Sequence, residues 1–363
     1  MHLTFIAGAR PNFIKIAPLI HAVEKAQTEG KDITCRLVHT GQHYDKNMSD
    51  TFFEELHIPA PDANLGCGGG TQAEQTAAIM IAFERDLISH PTDYVVVVGD
   101  VTSTMACSIV AKKLNTRVVH VEAGIRSWDL TMPEEINRMV TDCLTDIYFT
   151  TSEVANRNLR DAGVAEERIR FVGNVMIDTL RANEHRFHKP EVYDTLQLTN
   201  GHYIVMTLHR PANVDEADKL RRLVSEITEN VQGEPVIFPI HPRTAKIFRD
   251  LGIQADNLHT TDPLGYLEFN YLVKHSRAVV TDSGGITEET TVMGIPCITL
   301  RDNTERPETC TIGTNELIGT NPANIAPALR TLYAGQWKKG SVPPLWDGHT
   351  AERIIQSMYE NRA

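Results

Sequence analysis

Short apolar runs alternate along most of the chain with amphipathic stretches of roughly ten to twenty residues, the pattern of parallel strands joined by helical crossovers. Runs that predict strands occupy residues 3–7, 35–39, 94–98, 117–121 and 147–150, then 203–207, 236–240, 278–281 and 297–300. Each ends in polar or glycine-containing residues. Between 181 and 201 the chain is polar, holds Pro190 and lacks a strong apolar period, so a domain junction falls just before or within that stretch. The helix predicted after Pro133 carries Ile136, Met139, Val140, Cys143 and Leu144 on one face, with Glu134 and Arg138 four apart on the opposite side. A last helix is predicted over 350–359 and could cross back to the first strands. Two doubly wound α/β domains follow.

Composition narrows the class without changing that picture. A length of 363 residues suits two domains, since single cores stop growing at about 250–300 residues. With 41% hydrophobic and 23% charged residues the composition is that of an ordinary soluble globular protein. No apolar run approaches the roughly 20 residues of a membrane span. Residues 1–8 are too short for a signal peptide and lead directly into a turn. Cysteines at 35, 67, 107, 143, 297 and 310 show no zinc or disulfide spacing, which suits a reducing cytoplasm. A net charge of −12 argues against non-specific binding to nucleic acid or acidic membranes, so cations at a phosphate site must act locally.

The clearest candidate for such a site is Thr281-Asp282-Ser283-Gly284-Gly285, which leads from a strand into a helix that continues through Glu289 to Met293 before Gly294 stops it. Unpartnered N–H groups and the helix dipole favour an anion there, and glycines let a phosphate approach the main chain. Alone, Ser-Gly-Gly would be read as a plain turn. Glu289, one turn into the helix, adds a carboxylate able to accept both hydroxyls of a ribose, and Thr304-Glu305-Arg306-Pro307-Glu308 follows the next strand. Together they suggest a nucleoside diphosphate site. In doubly wound sheets ligands bind outside the carboxyl ends of strands. Here those ends carry Gly8-Ala9-Arg10-Pro11 with Lys15, Thr40-Gly41-Gln42-His43, Gly99-Asp100, Glu122-Ala123-Gly124, His209-Arg210 and His241-Pro242-Arg243. Any one of them would serve as a cap or turn, but in concert they form a cleft.

Those motifs, with Pro133-Glu134-Glu135-Ile136-Asn137-Arg138 and Arg306-Pro307-Glu308, resemble the non-hydrolysing UDP-N-acetylglucosamine 2-epimerases, in order from residue 8 to 308. The resemblance implies a GT-B architecture, two Rossmann-like domains facing across a cleft. Residues 1–173, joined by a C-terminal helix at about 349–363, would form the first, and 174–348 the UDP-binding second. It also implies a homodimer, a UDP-sugar substrate, no cofactor and no metal, and a role in supplying a cell-surface polysaccharide. The family is understood to expel UDP from C1 as the C2 proton leaves and to add it back with a proton on the opposite face. By this resemblance Asp100, Glu122 and Glu134 are the acid/base candidates, while Arg138 and His209 hold or balance the diphosphate. Ser283, Gly284 and Gly285 would meet the phosphates, Glu289 the ribose, and Arg10 and Arg306 the diphosphate, with Lys15 and His241 as further UDP contacts. Gln42 and His43 match a region that contacts a substrate activator in bacterial members.

The chain departs from the family pattern in places. Where many members carry Arg-Arg-Glu-Asn after the histidine, this chain reads Arg210-Pro211-Ala212-Asn213. The loop between Gly124 and Pro133 is short, and Ala9 stands where threonine is common. These differences leave open another UDP sugar, such as a 2,3-diacetamido uronic acid, or a hydrolysing enzyme releasing N-acetylmannosamine and UDP. A glycosyltransferase of the same fold and a non-catalytic nucleotide-sugar binder are further alternatives. The binder has little reason to hold Asp100, Glu122, Glu134 and Arg138 together.

Overall fold

The computed structural model describes residues 1–41, 55–240 and 242–361, and of Arg10, Pro11, Pro242 and Arg243 the backbone alone. It divides into two compact units, Met1–Ala182 with Pro344–Ala363, and Asn183–Pro343.

The first unit holds a parallel sheet of β1 (His2–Ala7), β2 (Thr34–His39), β3 (Ala63–Asn64), β4 (Tyr94–Val98), β5 (Arg117–Val121), β6 (Ile147–Thr150) and β7 (Ile169–Phe171). Their order is β3-β2-β1-β4-β5-β6-β7. The run Val95 to Val98 is fully buried, as expected of a central parallel strand covered on both faces. In the second unit β8 (Ile204–Thr207), β9 (Val236–Pro239), β10 (Leu258–Thr261), β11 (Ala278–Thr281), β12 (Cys297–Thr299) and β13 (Asn315–Leu317) are ordered β10-β9-β8-β11-β12-β13. Each sheet therefore reverses its strand order once, between β1 and β4 and between β8 and β11. Those reversals open the crevice where doubly wound sheets take ligands.

The first unit extends further along the chain than residue 173. The helix Val175–Asn183 belongs mainly to it: the hydroxyl of Thr179 donates to the carbonyl of Ile14 at 2.5 Å, and Asp178 accepts the N–H of Ala351 at 2.6 Å. That second bond caps the helix Thr350–Glu360, which packs against the helix Arg10–Thr28 with a Lys25–Glu352 ion pair at 2.7 Å. Trp346 is buried and donates its indole N–H to Thr151 at 3.0 Å.

The helix Pro133–Leu144 has the expected amphipathic spacing, and its polar face is the one turned inward. Its buried residues are Glu135, Asn137, Arg138, Thr141 and Asp142, while Ile136 and Met139 are 48% and 40% exposed and Cys143 is exposed. The physical reason is that its inner face meets polar strand ends rather than an apolar core. Among the described residues no helix is long and apolar enough to cross a membrane.

Candidate active site

In the first unit the polar groups gather at the carboxyl ends of β1, β4 and β5. Asn12 ties the first two together: its carbonyl oxygen accepts the N–H groups of Gly8 and Ala9 at 3.0 and 3.1 Å, and its amide donates to the carbonyl of Val98 at 2.9 Å. Next to it Gly99 turns with φ +70°. A Cβ at Gly99 would sit 3.3 Å from Lys15 Nζ and 3.4 Å from Glu122 Oε2, so the glycine makes room for that pair. Lys15 and Glu122 form a nearly buried ion pair. Glu122 itself has φ +71°, a left-handed backbone that is costly for a side chain of this kind and characteristic of constrained functional positions.

Asp100 follows Gly99. Its carboxylate accepts from Arg138 Nε at 3.0 Å and from Nη2 at 2.5 Å, and its backbone carbonyl accepts the amide of Asn137 at 2.8 Å. The third guanidinium nitrogen goes to Glu135 at 2.7 Å. Glu135 in turn accepts the N–H of Ser127 at 2.9 Å, the hydroxyl of Ser127 at 3.1 Å and the N–H of Trp128 at 3.1 Å, fixing the loop that leads into the helix. Arg138 is thus buried between two carboxylates, one of them fully buried and the other, Asp100, with a side chain 29% exposed. Glu134 lies on the exposed side of the same helix.

The second unit repeats the device at its own strand reversal. Asp282, at the end of β11, accepts the N–H groups of His209 and Arg210 at 3.1 and 3.0 Å and the amide of Asn213 at 3.1 Å. Its other oxygen lies 2.7 Å from Nδ1 of His209. Burial pushes the Asp282 carboxyl up, but the bonds from His209, Arg210 and Asn213 outweigh it and hold the group below the ordinary aspartate range. His209 is therefore oriented by a buried carboxylate while its ring stays 55% exposed.

The helix Gly284–Met293 starts directly after Ser283, whose side chain makes no capping bond. Its first N–H groups can therefore serve an anion. The guanidinium of Arg301 lies 3.5 Å from where a Cβ of Gly284 would be, and it is paired with Glu305 at 2.7 Å. Glu289 is buried and accepts the hydroxyl of Tyr266 at 2.8 Å. Burial raises its carboxyl to about 7, aided by the neighbouring Glu288 and opposed by the bonds from Tyr266 and Asn270. Arg306 is buried and turned onto Glu288. Among the described residues no group of three or more His, Cys, Asp or Glu could hold a metal ion.

The family model for UDP-N-acetylglucosamine 2-epimerase matches residues 25–359. The chain is 39% identical over 368 residues to the UDP-N-acetylglucosamine 2-epimerase of Methanocaldococcus jannaschii, with 98% of each covered. The chain belongs to the UDP-N-acetylglucosamine 2-epimerase family. A crystal structure of the M. jannaschii epimerase in complex with UDP-GlcNAc and UDP matches it with a TM-score of 0.88, covering 99% of this chain and 100% of that one. The chain is also 39% identical over 334 residues to the UDP-2,3-diacetamido-2,3-dideoxy-D-glucuronate 2-epimerase of Pseudomonas aeruginosa, covering 91% of this chain and 92% of that one.

As a member of the epimerase family the protein is an isomerase, built on two parallel-sheet α/β units. Of the residues singled out by sequence, Lys15, Asp100, Glu122 and Arg138 come together in the first unit, and His209, Ser283, Gly284, Gly285 and Glu289 lie at strand ends or on the helix start of the second. Arg306 has its charge on Glu288 rather than on the helix start, where Arg301 is the nearer guanidinium. Gln42, His43 and His241 lie outside the described residues, and Arg10 is described only as the first residue of its helix. Sequence reading gave no role to Asn12, Glu135, Asp142, His120, Tyr266 or Arg301. Of these, Glu135 was quoted only as part of the motif Pro133 to Arg138.

Proposed function

We propose that the protein interconverts UDP-N-acetylglucosamine and UDP-N-acetylmannosamine by eliminating UDP and adding it back. The hydrogen at C2 is not acidic, because no carbonyl or other electron sink adjoins it. A base takes the C2 proton as the C1–oxygen bond to the diphosphate breaks. The C–H electron pair becomes the C1–C2 double bond of 2-acetamidoglucal, and UDP departs with the pair from the broken bond. In the return step the diphosphate oxygen attacks C1 while an acid delivers a proton to the opposite face of C2, so nothing is consumed. Such a route needs acid/base groups near C2, cations for the departing diphosphate, and exclusion of water from the intermediate.

Asp100, Glu122 and Glu134 are the acid/base groups in this reading, each worth about 10²- to 10⁴-fold. Arg138 and His209 balance the diphosphate, helped by Arg10, Lys15, His241 and Arg306. Ser283, Gly284 and Gly285 bind the phosphates, and Glu289 the ribose. The observation that carries the reading is the gathering of Asp100 on Arg138 and Glu122 on Lys15 at the ends of adjacent strands. Two carboxylates already matched with cations suit a reaction that moves a proton and a diphosphate together. The relatives' names support the substrate. The P. aeruginosa relative, as similar in sequence, favours a second reading in which the same chemistry acts on a 2,3-diacetamido uronic acid.

The test is proton NMR of the protein with UDP-N-acetylglucosamine in D₂O. Growth of UDP-N-acetylmannosamine carrying deuterium at C2 is expected. Free N-acetylmannosamine with UDP would mean a hydrolase instead. Silence with this sugar and turnover of the diacetamido uronate would select the second reading.

A homodimer belongs to the same proposal. The outward stripe of Ile136 and Met139, with Trp128 and Leu130 at 70% and 64% exposure just before the helix, supports it. Light scattering should give twice the chain mass for the wild type and a smaller mass for the Ile136→Arg/Met139→Arg variant.

A further inference from the structure

His120 lies on β5, two residues before Glu122, and is fully buried. Its Nε2 is 2.8 Å from the carbonyl oxygen of Gly99, and its Nδ1 is 2.7 Å from a carboxylate oxygen of Asp142. A carbonyl oxygen only accepts, so Nε2 carries a hydrogen. The second oxygen of Asp142 is ion-paired with Arg126 at 2.6 Å and accepts the N–H of Gly124 at 3.1 Å, as an ionised carboxylate does. Nδ1 then carries a hydrogen as well. Burial pushes the Asp142 carboxyl up, but His120 and Arg126 more than offset it and hold the group below the ordinary aspartate range.

The two ring bonds span three elements that carry acid/base candidates. Gly99 immediately precedes Asp100 at the end of β4, and Asp142 lies one turn beyond Arg138 on the helix that also holds Glu134. The N–H of Gly124 and the guanidinium of Arg126 extend the network along the segment after Glu122. The groups facing the ring are Asp142 from the helix and the Gly99 carbonyl from β4. Arg126 and the hydroxyl of Tyr148 on β6 reach it only through Asp142, the latter at the backbone carbonyl of that residue, 2.6 Å away.

We infer that His120 is a positioning residue of the epimerisation: a buried ring that donates from both nitrogens and so holds Asp100 and Glu122 in register with the helix Pro133–Leu144. The inference rests on the C2 chemistry proposed above. The ring touches no reacting atom in this scheme and its protons stay in place. Its effect is on geometry, and a misplacement of about 1 Å at reacting groups can cost 10²-fold in rate.

Nitrogen-15 NMR of histidine-labelled protein tests the ring state directly. The expected result is two protected ring N–H signals for His120, assigned by their loss in His120→Asn. In Asp142→Asn the new amide donates to Nδ1, so one of the two signals should disappear. A single ring N–H in the wild type overturns the inference.

The functional arm is kinetic. His120→Asn should lower kcat about 100-fold with KM and UDP affinity within about twofold. If His120→Asn fails to fold, His120→Gln is measured in its place. Full kcat in a folded variant overturns the role of His120 alone, because the wild type still exchanges its C2 hydrogen. A wild type that incorporates no deuterium from D₂O with either UDP sugar overturns the epimerase reading, and the positioning role with it.

Discussion

Replacing Glu289 by glutamine should make the second unit more stable at pH 8 and leave it nearly unchanged at pH 5. Glu289 is only 5% exposed. Burial lifts it from 4.5 to about 7 even though Tyr266 and Asn270 bond to the charged form. Arg306 is paired with the neighbouring Glu288. A group whose native value lies above its unfolded value stabilises the fold below the unfolded value, and that contribution is lost as pH rises through the native one. The window is therefore about 4.5 to 7. A carboxyl held at about 7 instead of 4.5 means a penalty on the order of 3 kcal/mol carried by the ionised state. Glutamine can still accept the Tyr266 hydroxyl and carries no charge at any pH.

Hydrogen exchange of peptides covering the helix Gly284–Met293 compares wild type and variant at each pH, which cancels the intrinsic pH dependence of exchange. Protection should agree at pH 5 and diverge by about two powers of ten at pH 8, with the variant more protected. Equal protection at both pH values would refute the reasoning. The same carboxylate links stability to the proposed ligand. Ribose hydroxyls that donate to it would favour its charged form, so UDP should bind more tightly as pH rises from 6 to 8, and Glu289→Gln should abolish that slope. The protein would then hold an unstable charge in readiness for the nucleotide.

Asp178 carries a similar penalty at the helix Thr350–Glu360. Burial raises its carboxyl to about 6 against the bonds from Ala351 and Thr350, so its stabilising contribution fades as pH rises through 6, and Asp178→Asn should unfold no more readily than wild type at pH 8 in urea. Gly173→Ala should cost about 3–5 kcal/mol, because φ is +102° and the new Cβ would sit 2.1 Å from the carbonyl oxygen of Leu345; its urea midpoint checks this. Glu135→Ala should cost about 3–5 kcal/mol by leaving Arg138 buried with one partner fewer, and should expose the 127–128 segment to proteolysis, since Glu135 holds both backbone N–H groups there.

The nine predicted strands all occur, each within a residue of its expected ends. The four that were missed share a physical reason. β3 has two residues and β7 reads Ile-Arg-Phe, while β10 reads Leu-His-Thr-Thr and β13 reads Asn-Glu-Leu. All four are sheet edges, where one side lacks a neighbour and selection for continuous apolar character is weak. The strand-to-helix turn at Ser283 was legible because the strand, the glycines and the helix stop at Gly294 lie within one short segment. The left-handed backbone of Glu122 was not, since nothing in Val-Glu-Ala marks a positive φ. Nor was the Arg306–Glu288 pair, because charge in sequence does not say which carboxylate a guanidinium will choose.

The helix Pro133–Leu144 shows most clearly where periodicity stops. Its 3.6-residue period was read from Ile136, Met139, Val140, Cys143 and Leu144, and a stripe of that kind ordinarily points to a core. Burial instead selected Glu135, Asn137, Arg138, Thr141 and Asp142. Periodicity defines two faces of a helix without naming what each one meets. Here the inner face meets the ends of β4 and β5, which offer the Asp100 carboxylate, the Asp100 carbonyl and His120. Only polar side chains can satisfy those groups away from water. A helix that spends its polar face inward leaves its apolar face to solvent or to a second chain. The same choice that builds the proposed acid/base site therefore also creates the surface on which the proposed dimer depends, and under that proposal one helix ties assembly to catalysis.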